Sequence, residues 1–396
     1  MYWNEGEVMI LFKNANVVLE NEVKKLSVLV DGSKIVKIAE TIDTDAEIID
    51  CDGLYLSAGF IDLHVHGGGG ISAMCCDSDK LCKMAKAHAL HGTTSILPTT
   101  LAAPVKQLLE VTEYIKKASE TCTDSNILGV HFEGPYLNPE NKGAQSEENI
   151  LSPLKDDPTP LIECWDKVRI MGVAPEIDGA FELGEKLKEK GIVVSVAHTK
   201  ADYDTTIDAL DHGFSDFTHI YNASTSCFKR GIFRVAGAVE AGLVDDRYTV
   251  QVIADLRHLP LGVLKLIYKT KGADGMYLIT DGLEFAASNL KDGEICLQEN
   301  GLEVVYEDNV MKLADRSCLA GSAATTDMLV RNMYKEVGAP IYDAVKMASA
   351  TPARVIGIDN QKGYIKEGYD ADILLFDDNI NIQKVMVMGK FVEECL

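Results

Sequence analysis

Leu54-Tyr55-Leu56-Ser57-Ala58-Gly59-Phe60-Ile61-Asp62-Leu63-His64-Val65-His66 is an apolar run that ends on two histidines and passes into four consecutive glycines, Gly67 to Gly70. Read as a strand over 54–65, it is the first of eight short apolar runs, the others at 95–98, 127–132, 168–173, 192–197, 216–220, 248–254 and 276–280. Several of the segments between them, such as 79–91, 105–119, 181–190 and 261–271, repeat apolar residues at spacings of three and four, the period of an amphipathic helix. Gly92 and Gly191 follow two of these helices where a left-handed cap is expected. Eight strand-then-helix units in series point to an α/β fold, a parallel (β/α)₈ TIM-like barrel rather than an open sheet.

The chain ends have a different texture. The first fifty residues alternate short apolar runs with turns, among them Asp31-Gly32, a hairpin signal between alternating segments. Strands are expected again at 363–365, 371–376 and 382–388, with a Gly389-Lys390 turn after them. Neither end can cover its own apolar face, so the two are expected to join in one small β-sandwich formed by 1–56 and 362–396, with the catalytic barrel spanning 57–361.

Lys plus Arg number 38 against 61 Asp plus Glu, a net charge of −23 spread along the chain. That balance speaks against nucleic acid and anionic membranes as partners, because both require a cationic footprint. A small anionic substrate stays open, since one buried cation governs a pocket whatever the surface carries. No segment reaches about 20 apolar residues, and the start lacks a signal-peptide pattern, so a cytoplasmic protein is expected. The ten cysteines are scattered, with no C-x-x-C pair, and are expected as reduced thiols.

The chemistry gathers at the predicted strand ends, where barrels place their active sites. His64 and His66 project to one face by the period of two and offer two nitrogens to one metal ion. Alone, an H-x-H pair is more often an ordinary edge pair, and the glycines that follow raise its significance by allowing close backbone approach. Glu133 ends the third run before Gly134-Pro135, and taken alone it reads equally well as a solvated loop glutamate. His131, deeper in that run, reads as a barrel-interior residue. His198 and His219 end the fifth and sixth runs, where a structural, hydrogen-bonded histidine is the competing reading. Asp281 follows the eighth run, placed to act as general base toward a water beside the metal. The joint pattern is far more specific than any member and implies a metal-dependent hydrolase.

The constellation resembles the amidohydrolase superfamily and, within it, the N-acetylglucosamine-6-phosphate deacetylases. The resemblance covers nearly the whole chain. It is carried by Gly59-Phe60-Ile61-Asp62-Leu63-His64-Val65-His66-Gly67, His131-Phe132-Glu133-Gly134-Pro135-Tyr136, Asn138-Pro139, Lys142-Gly143-Ala144, Ala197-His198-Thr199, Thr218-His219-Ile220-Tyr221-Asn222-Ala223, Ile253-Ala254-Asp255-Leu256-Arg257-His258, Thr280-Asp281 and Leu319-Ala320-Gly321-Ser322. It implies a divalent metal, zinc first among zinc, iron, manganese and cobalt, held by Glu133, His198 and His219. His64 and His66, where members retain them, supply a second position bridged by the glutamate, so one or two ions per subunit are expected. Asp281 would take a proton from the attacking water and pass it to the leaving amine. Ala144, Gln145, Asn222, Ala223, Arg230, His258, Leu319, Ala320 and Gly321 map to substrate contacts, and a homodimer is implied because the family's phosphate-binding arginine reaches a neighbouring subunit.

Two departures bear on the substrate. The family's usual histidine after Lys-Gly-Ala is Gln145 here, which donates an amide N–H but carries no charge. The family's Arg-x-Pro-Gly stretch is replaced by Ser226-Cys227-Phe228-Lys229-Arg230-Gly231-Ile232-Phe233-Arg234, whose Lys229, Arg230 and Arg234 form a cationic cluster with Arg230 as the expected phosphate clamp. The leading expectation is removal of the N-acetyl group from N-acetylglucosamine 6-phosphate. The alternatives are another N-acyl amino sugar, such as N-acetylgalactosamine 6-phosphate or an unphosphorylated compound, and a non-catalytic barrel scaffold.

Overall fold

Gly59 divides the run at 54–65 into two strands that belong to different sheets, Tyr55–Ala58 and Phe60–Val65. A Cβ there would sit 2.0 Å from Thr94 Oγ1, so only glycine lets the chain pass from one sheet to the other against the second barrel strand. The structure, a computed structural model, describes residues 9–288, 290–297, 303–316 and 319–393.

Phe60–Val65 pairs in parallel with Thr93–Thr100, and the ladder continues through Val130–Glu133, Val168–Val173, Val193–Val196, Phe214–Phe217, Thr249–Val252 and Met276–Leu278. These are the eight barrel strands in the expected order. Between the first and the last, the ring closes only at its carboxyl end. There Asp281 N donates to His64 O at 2.9 Å and His66 N donates to Gly282 O at 2.8 Å. The seam of the barrel therefore lies where the first and eighth strands deliver their polar residues.

Helices cover the outside much as the periodicity predicts, including Ser78–Ala89, Val105–Thr121, Ala180–Glu189 and Leu261–Gly275. Gly92 and Gly191 take φ of 88° and 73°, the left-handed values a helix cap requires. No described helix is long and apolar enough to cross a membrane.

Both chain ends join in one sheet ordered Lys390–Phe391, Ile382–Val387, Ile373–Phe376, Tyr55–Ala58, Ile10–Val18, Val23–Asp31, Lys34–Ala39, with Glu47–Asp50 as a branch on Ile10–Val18. Alternate residues fill two different cores. Ile373 and Leu375 face the small core with Phe12, Val17, Val28 and Leu56. Leu374 and Phe376 face the barrel core. The period of two thus docks the terminal sheet on the barrel, and Lys362 pins the joint through Asp372 at 2.6 Å and Asp370 at 2.9 Å.

Three expectations are corrected. Residues 363–365 form no strand, although Ile365 still packs in the small core. Cys82 and Cys122 are not free thiols but a disulfide, because the helix Ser78–Ala89 that carries Cys82 lies beside the helix that ends just before Cys122, with the two Cα atoms 5.2 Å apart. Cys51, Cys164, Cys227 and Cys296 are free, and Cys318 and Cys395 lie outside the described residues. A four-stranded antiparallel sheet, Glu294–Leu297, Glu303–Glu307, Val310–Leu313 and Leu319–Gly321, follows the eighth barrel strand, where no strands were anticipated. Its sequence signal was the Asp308-Asn309 turn, whose φ values of 57° and 62° suit a two-residue hairpin.

Candidate metal centre

Three of the predicted site residues stand just past a strand end in left-handed backbone: His198 at φ 45°, His219 at φ 24° and Asp281 at φ 47°. Such conformations cost a non-glycine residue on the order of 1–3 kcal/mol each and persist only where neighbours over-determine them. Here Asn138 N donates to His198 O, Asn222 N to His219 O, and Asp281 N to His64 O. The twist at each strand end breaks the simple alternation and turns the side chain into the barrel mouth.

Glu133 is the hub. Its Oε1 lies 3.0 Å from His198 Nε2 and 2.9 Å from His219 Nε2, while Oε2 lies 3.2 Å from His66 Nε2. His64 Nε2 is 3.5 Å from Oε1. Asp281 Oδ1 stands 3.4 Å from His64 Nε2 and 3.2 Å from His66 Nε2, with its side chain 19% exposed at the mouth. Two buried groups that can hold a metal ion, His64–His66–Glu133 and Glu133–His198–His219, therefore share one carboxylate.

The donor chemistry fits a cation. His66 Nδ1 faces Thr99 O at 3.1 Å and His198 Nδ1 faces Asn141 O at 3.1 Å, and a carbonyl only accepts, so both rings carry hydrogen on Nδ1. Their Nε2 atoms then point inward at two carboxylates, a position that only a proton or a metal ion can fill, and the His64 and His66 Nε2 atoms approach to 3.1 Å. Without positive charge, acceptors would face acceptors. The protons report the same field. Burial opposes a charged His66, yet hydrogen bonds to Asp281 and Glu133 outweigh it and raise its pKa to about 10. Burial wins at His64 and lowers it to about 4. Burial raises the Asp281 carboxyl, but the surrounding imidazoles, His64 first, pull it down to about 2. Among the described residues, His219 Nδ1 and His131 Nε2 are buried without a hydrogen-bond partner. His131 lies in the barrel interior, its ring 4.7 Å from that of His64.

The expected substrate contacts divide. Gln145 is buried beside the hub, donating Nε2–H to Glu133 Oε2 at 2.6 Å. Ala144 is exposed on the same loop, and the preceding Gly143, at φ 56°, passes so close that a Cβ would lie 3.2 Å from His198 Cε1. Asn222 and Ala223 continue from His219, with Asn222 Nδ2 donating to His219 O and Ala223 O accepting from Thr199 N. His258 is held by Asp255 at 2.6 Å. Leu319 and Gly321 lie on a strand beside the seam, where Ser322 bridges Gly282; Ala320 is on that strand, and its side chain lies outside the description. Arg230 is not drawn to the cluster. It sits on a hairpin, Phe228–Arg230 with Phe233–Val235, pairs with Asp202 at 3.1 Å and is 66% exposed.

Other participants escaped the sequence reading. Gln251 Oε1 is 2.8 Å from His64 Nδ1, and Asp216, Tyr277, Thr99 and Asn141 support the same shell. The one available signal was a polar residue inside an apolar strand: Gln251 lies between Val250 and Val252.

The sequence profile described as Amidohydrolase family matches residues 55–392. An N-acetylgalactosamine-6-phosphate deacetylase of Escherichia coli O157:H7 is 32% identical over 348 residues, 87% of this chain and 89% of that protein. An N-acetylglucosamine-6-phosphate deacetylase of Bacillus subtilis (strain 168) is 30% identical over 397 residues, 96% of each. The crystal structure of N-acetylglucosamine-6-phosphate deacetylase from Pasteurella multocida superposes with a TM-score of 0.88 at 30% identity, covering 97% of this chain and 99% of that one.

Proposed function

This chain belongs to the amidohydrolase family, and from that membership we propose that it hydrolyses the N-acetyl group of N-acetylglucosamine 6-phosphate, giving glucosamine 6-phosphate and acetate. The observation that carries the reading is the pair of buried ligand groups sharing Glu133, with Asp281 beside them at the barrel mouth.

In this reading Glu133, His198 and His219 hold one divalent metal, and His64 and His66 with Glu133 hold another. When bound, the metal supplies Lewis acidity, which polarises the scissile carbonyl and makes water nucleophilic near neutral pH. Asp281, ionised because its neighbours draw its pKa down, accepts the proton of the attacking water on its carboxylate and delivers it to the departing amine. His258 and Asn222 orient the sugar, and the loop through Ala144 and the strand 319–321 flank it. The buried walls exclude bulk water, which strengthens every one of these contacts.

Zinc is the metal we assign, on the His and carboxylate ligand set. A homodimer is supported by the hairpin that carries Arg230, whose tip exposes Ile232 at 88% and Phe233 at 70%, apolar surface that a second copy would cover while Arg230 reaches a phosphate. A cytoplasmic location and an amino-sugar phosphate partner complete the proposal. A second reading, the galacto epimer as substrate, is favoured by the 32% identical relative from Escherichia coli. Assay of both epimers, with and without the 6-phosphate, tests the set: acetate release from N-acetylglucosamine 6-phosphate at the highest kcat/KM is expected, and no release from any of the four would overturn it.

A further inference from the structure

We propose that Gln251 is the positioning residue that makes His64 a metal ligand, and that Asp216 and Tyr277 set the direction in which it acts. The proposal rests on the reading above, in which His64 and His66 form a metal position.

His64 differs from His66 and His198 in one respect. Their Nδ1 atoms meet backbone carbonyls, which admit only one tautomer. His64 Nδ1 instead meets a side-chain amide, Gln251, at 2.8 Å. An amide presents either face. Its oxygen would leave hydrogen on Nδ1 and a lone pair on Nε2, the ligand state. Its NH₂ would place hydrogen on Nε2 and remove His64 from the site.

The choice is made one layer further down. Gln251 Nε2 lies 2.8 Å from Asp216 Oδ2, and Tyr277 OH donates to the same oxygen at 3.1 Å. A carboxylate oxygen that accepts from both cannot face the amide oxygen, so Gln251 must turn Oε1 toward His64. The three residues come from neighbouring barrel strands, with Gln251 in register with Tyr277, and all of them are fully buried, as is His64. No water competes for these bonds, and none of the three reaches the inward face of the metal groups. Gln251 therefore acts through His64 and not on substrate.

The test is Zn²⁺ titration of the chelator-stripped full-length enzyme, followed by elemental analysis and calorimetry. The wild type is expected to take up two equivalents. Q251L, which keeps the bulk and removes the acceptor, should retain one at unchanged affinity and bind the other about 10–100-fold more weakly. The double variant Q251E/D216N restores an acceptor toward His64 above a donor from position 216, and should recover the second equivalent. Two equivalents at wild-type affinity in Q251L would overturn the proposal alone. Fewer than two in the wild type would overturn the two-position reading, and the proposal with it. A readout independent of any variant's folding is the ¹⁵N spectrum of His64 in the metal-free wild type, assigned by its loss in H64Q. Hydrogen on Nδ1 is expected, and hydrogen on Nε2 would overturn the assignment.

Discussion

Gln145 clamps Glu133: its Nε2 donates to Glu133 Oε2 at 2.6 Å while its Oε1 accepts the Ala102 N–H at 2.8 Å. The side chain expected to face substrate thereby has both ends engaged, one by the Ala102 backbone and the other by the carboxylate on which both ligand groups depend. Q145A should lower metal affinity by about 10-fold or more, with KM for the acetylated sugar nearly unchanged. Metal content after dialysis against a weak chelator, measured beside KM, checks this. A variant with full metal and a collapsed kcat would overturn this and make Gln145 a substrate contact.

Asp281 is the proposed base, and Asp281→Asn preserves its shape while removing the proton acceptor. We expect kcat to fall by about 10²–10⁴-fold, with metal content close to wild type. Single-turnover assays on protein of known metal content decide it, and near-normal turnover would refute the role.

Removing the metal should abolish activity without unfolding the barrel, because the eight-stranded ladder and its apolar core do not pass through the ligand atoms. Chelation followed by Zn²⁺ addition should restore acetate release, with circular dichroism unchanged throughout. Glu133→Gln should show no such recovery, since a neutral amide cannot serve both groups.

Arg230 tests the phosphate. Arg230→Ala should raise KM for the 6-phosphorylated substrate about tenfold or more, as expected for loss of a charge-assisted contact, and leave the unphosphorylated sugar unaffected. Equal kcat/KM for both sugars in the wild type would remove the clamp from the account.

The joint between terminal sheet and barrel predicts a pH-dependent stability. Burial disfavours a charged Lys362, but Asp372 and Asp370 outweigh it and raise its pKa above 10.5. Burial likewise opposes the Asp370 carboxylate, and Lys34 and Lys362 hold it below 3.8. The contribution of Lys362 is thus complete below pH 10.5 and fades as pH rises through its folded value. That of Asp370 is complete above its ordinary range and fades as pH falls through its lowered value. Lys362→Met takes the buried cation from between Asp372 and Asp370, leaving Asp370 with Lys34 as its cation, and should cost about 3–5 kcal/mol at pH 7, less toward pH 3 as Asp370 protonates. Denaturant unfolding of both proteins at the two pH values measures the difference.

Much of the architecture was legible because it is local. The barrel strands announce themselves by apolar runs and the helices by their period, and polar residues at run ends mark the carboxyl face, so His64, His66, Glu133, His198, His219 and Asp281 could be named together. What the chain alone could not disclose depends on residues far apart in sequence. Gly59 reads as one more residue of a strand until Thr94 is set against it. Cys82 and Cys122 look solitary until two helices pack. His198 and Asp281 take left-handed backbone that no local preference favours, held there by backbone bonds to Asn138 and His64. Gln251 is 187 positions from His64, and only closure of the barrel makes them partners. Sequence determined which side chains arrive at the mouth of the barrel, because alternation and strand ends are properties of a single segment. Tertiary structure decided how each is turned and protonated, because a hydrogen-bond partner is a property of two.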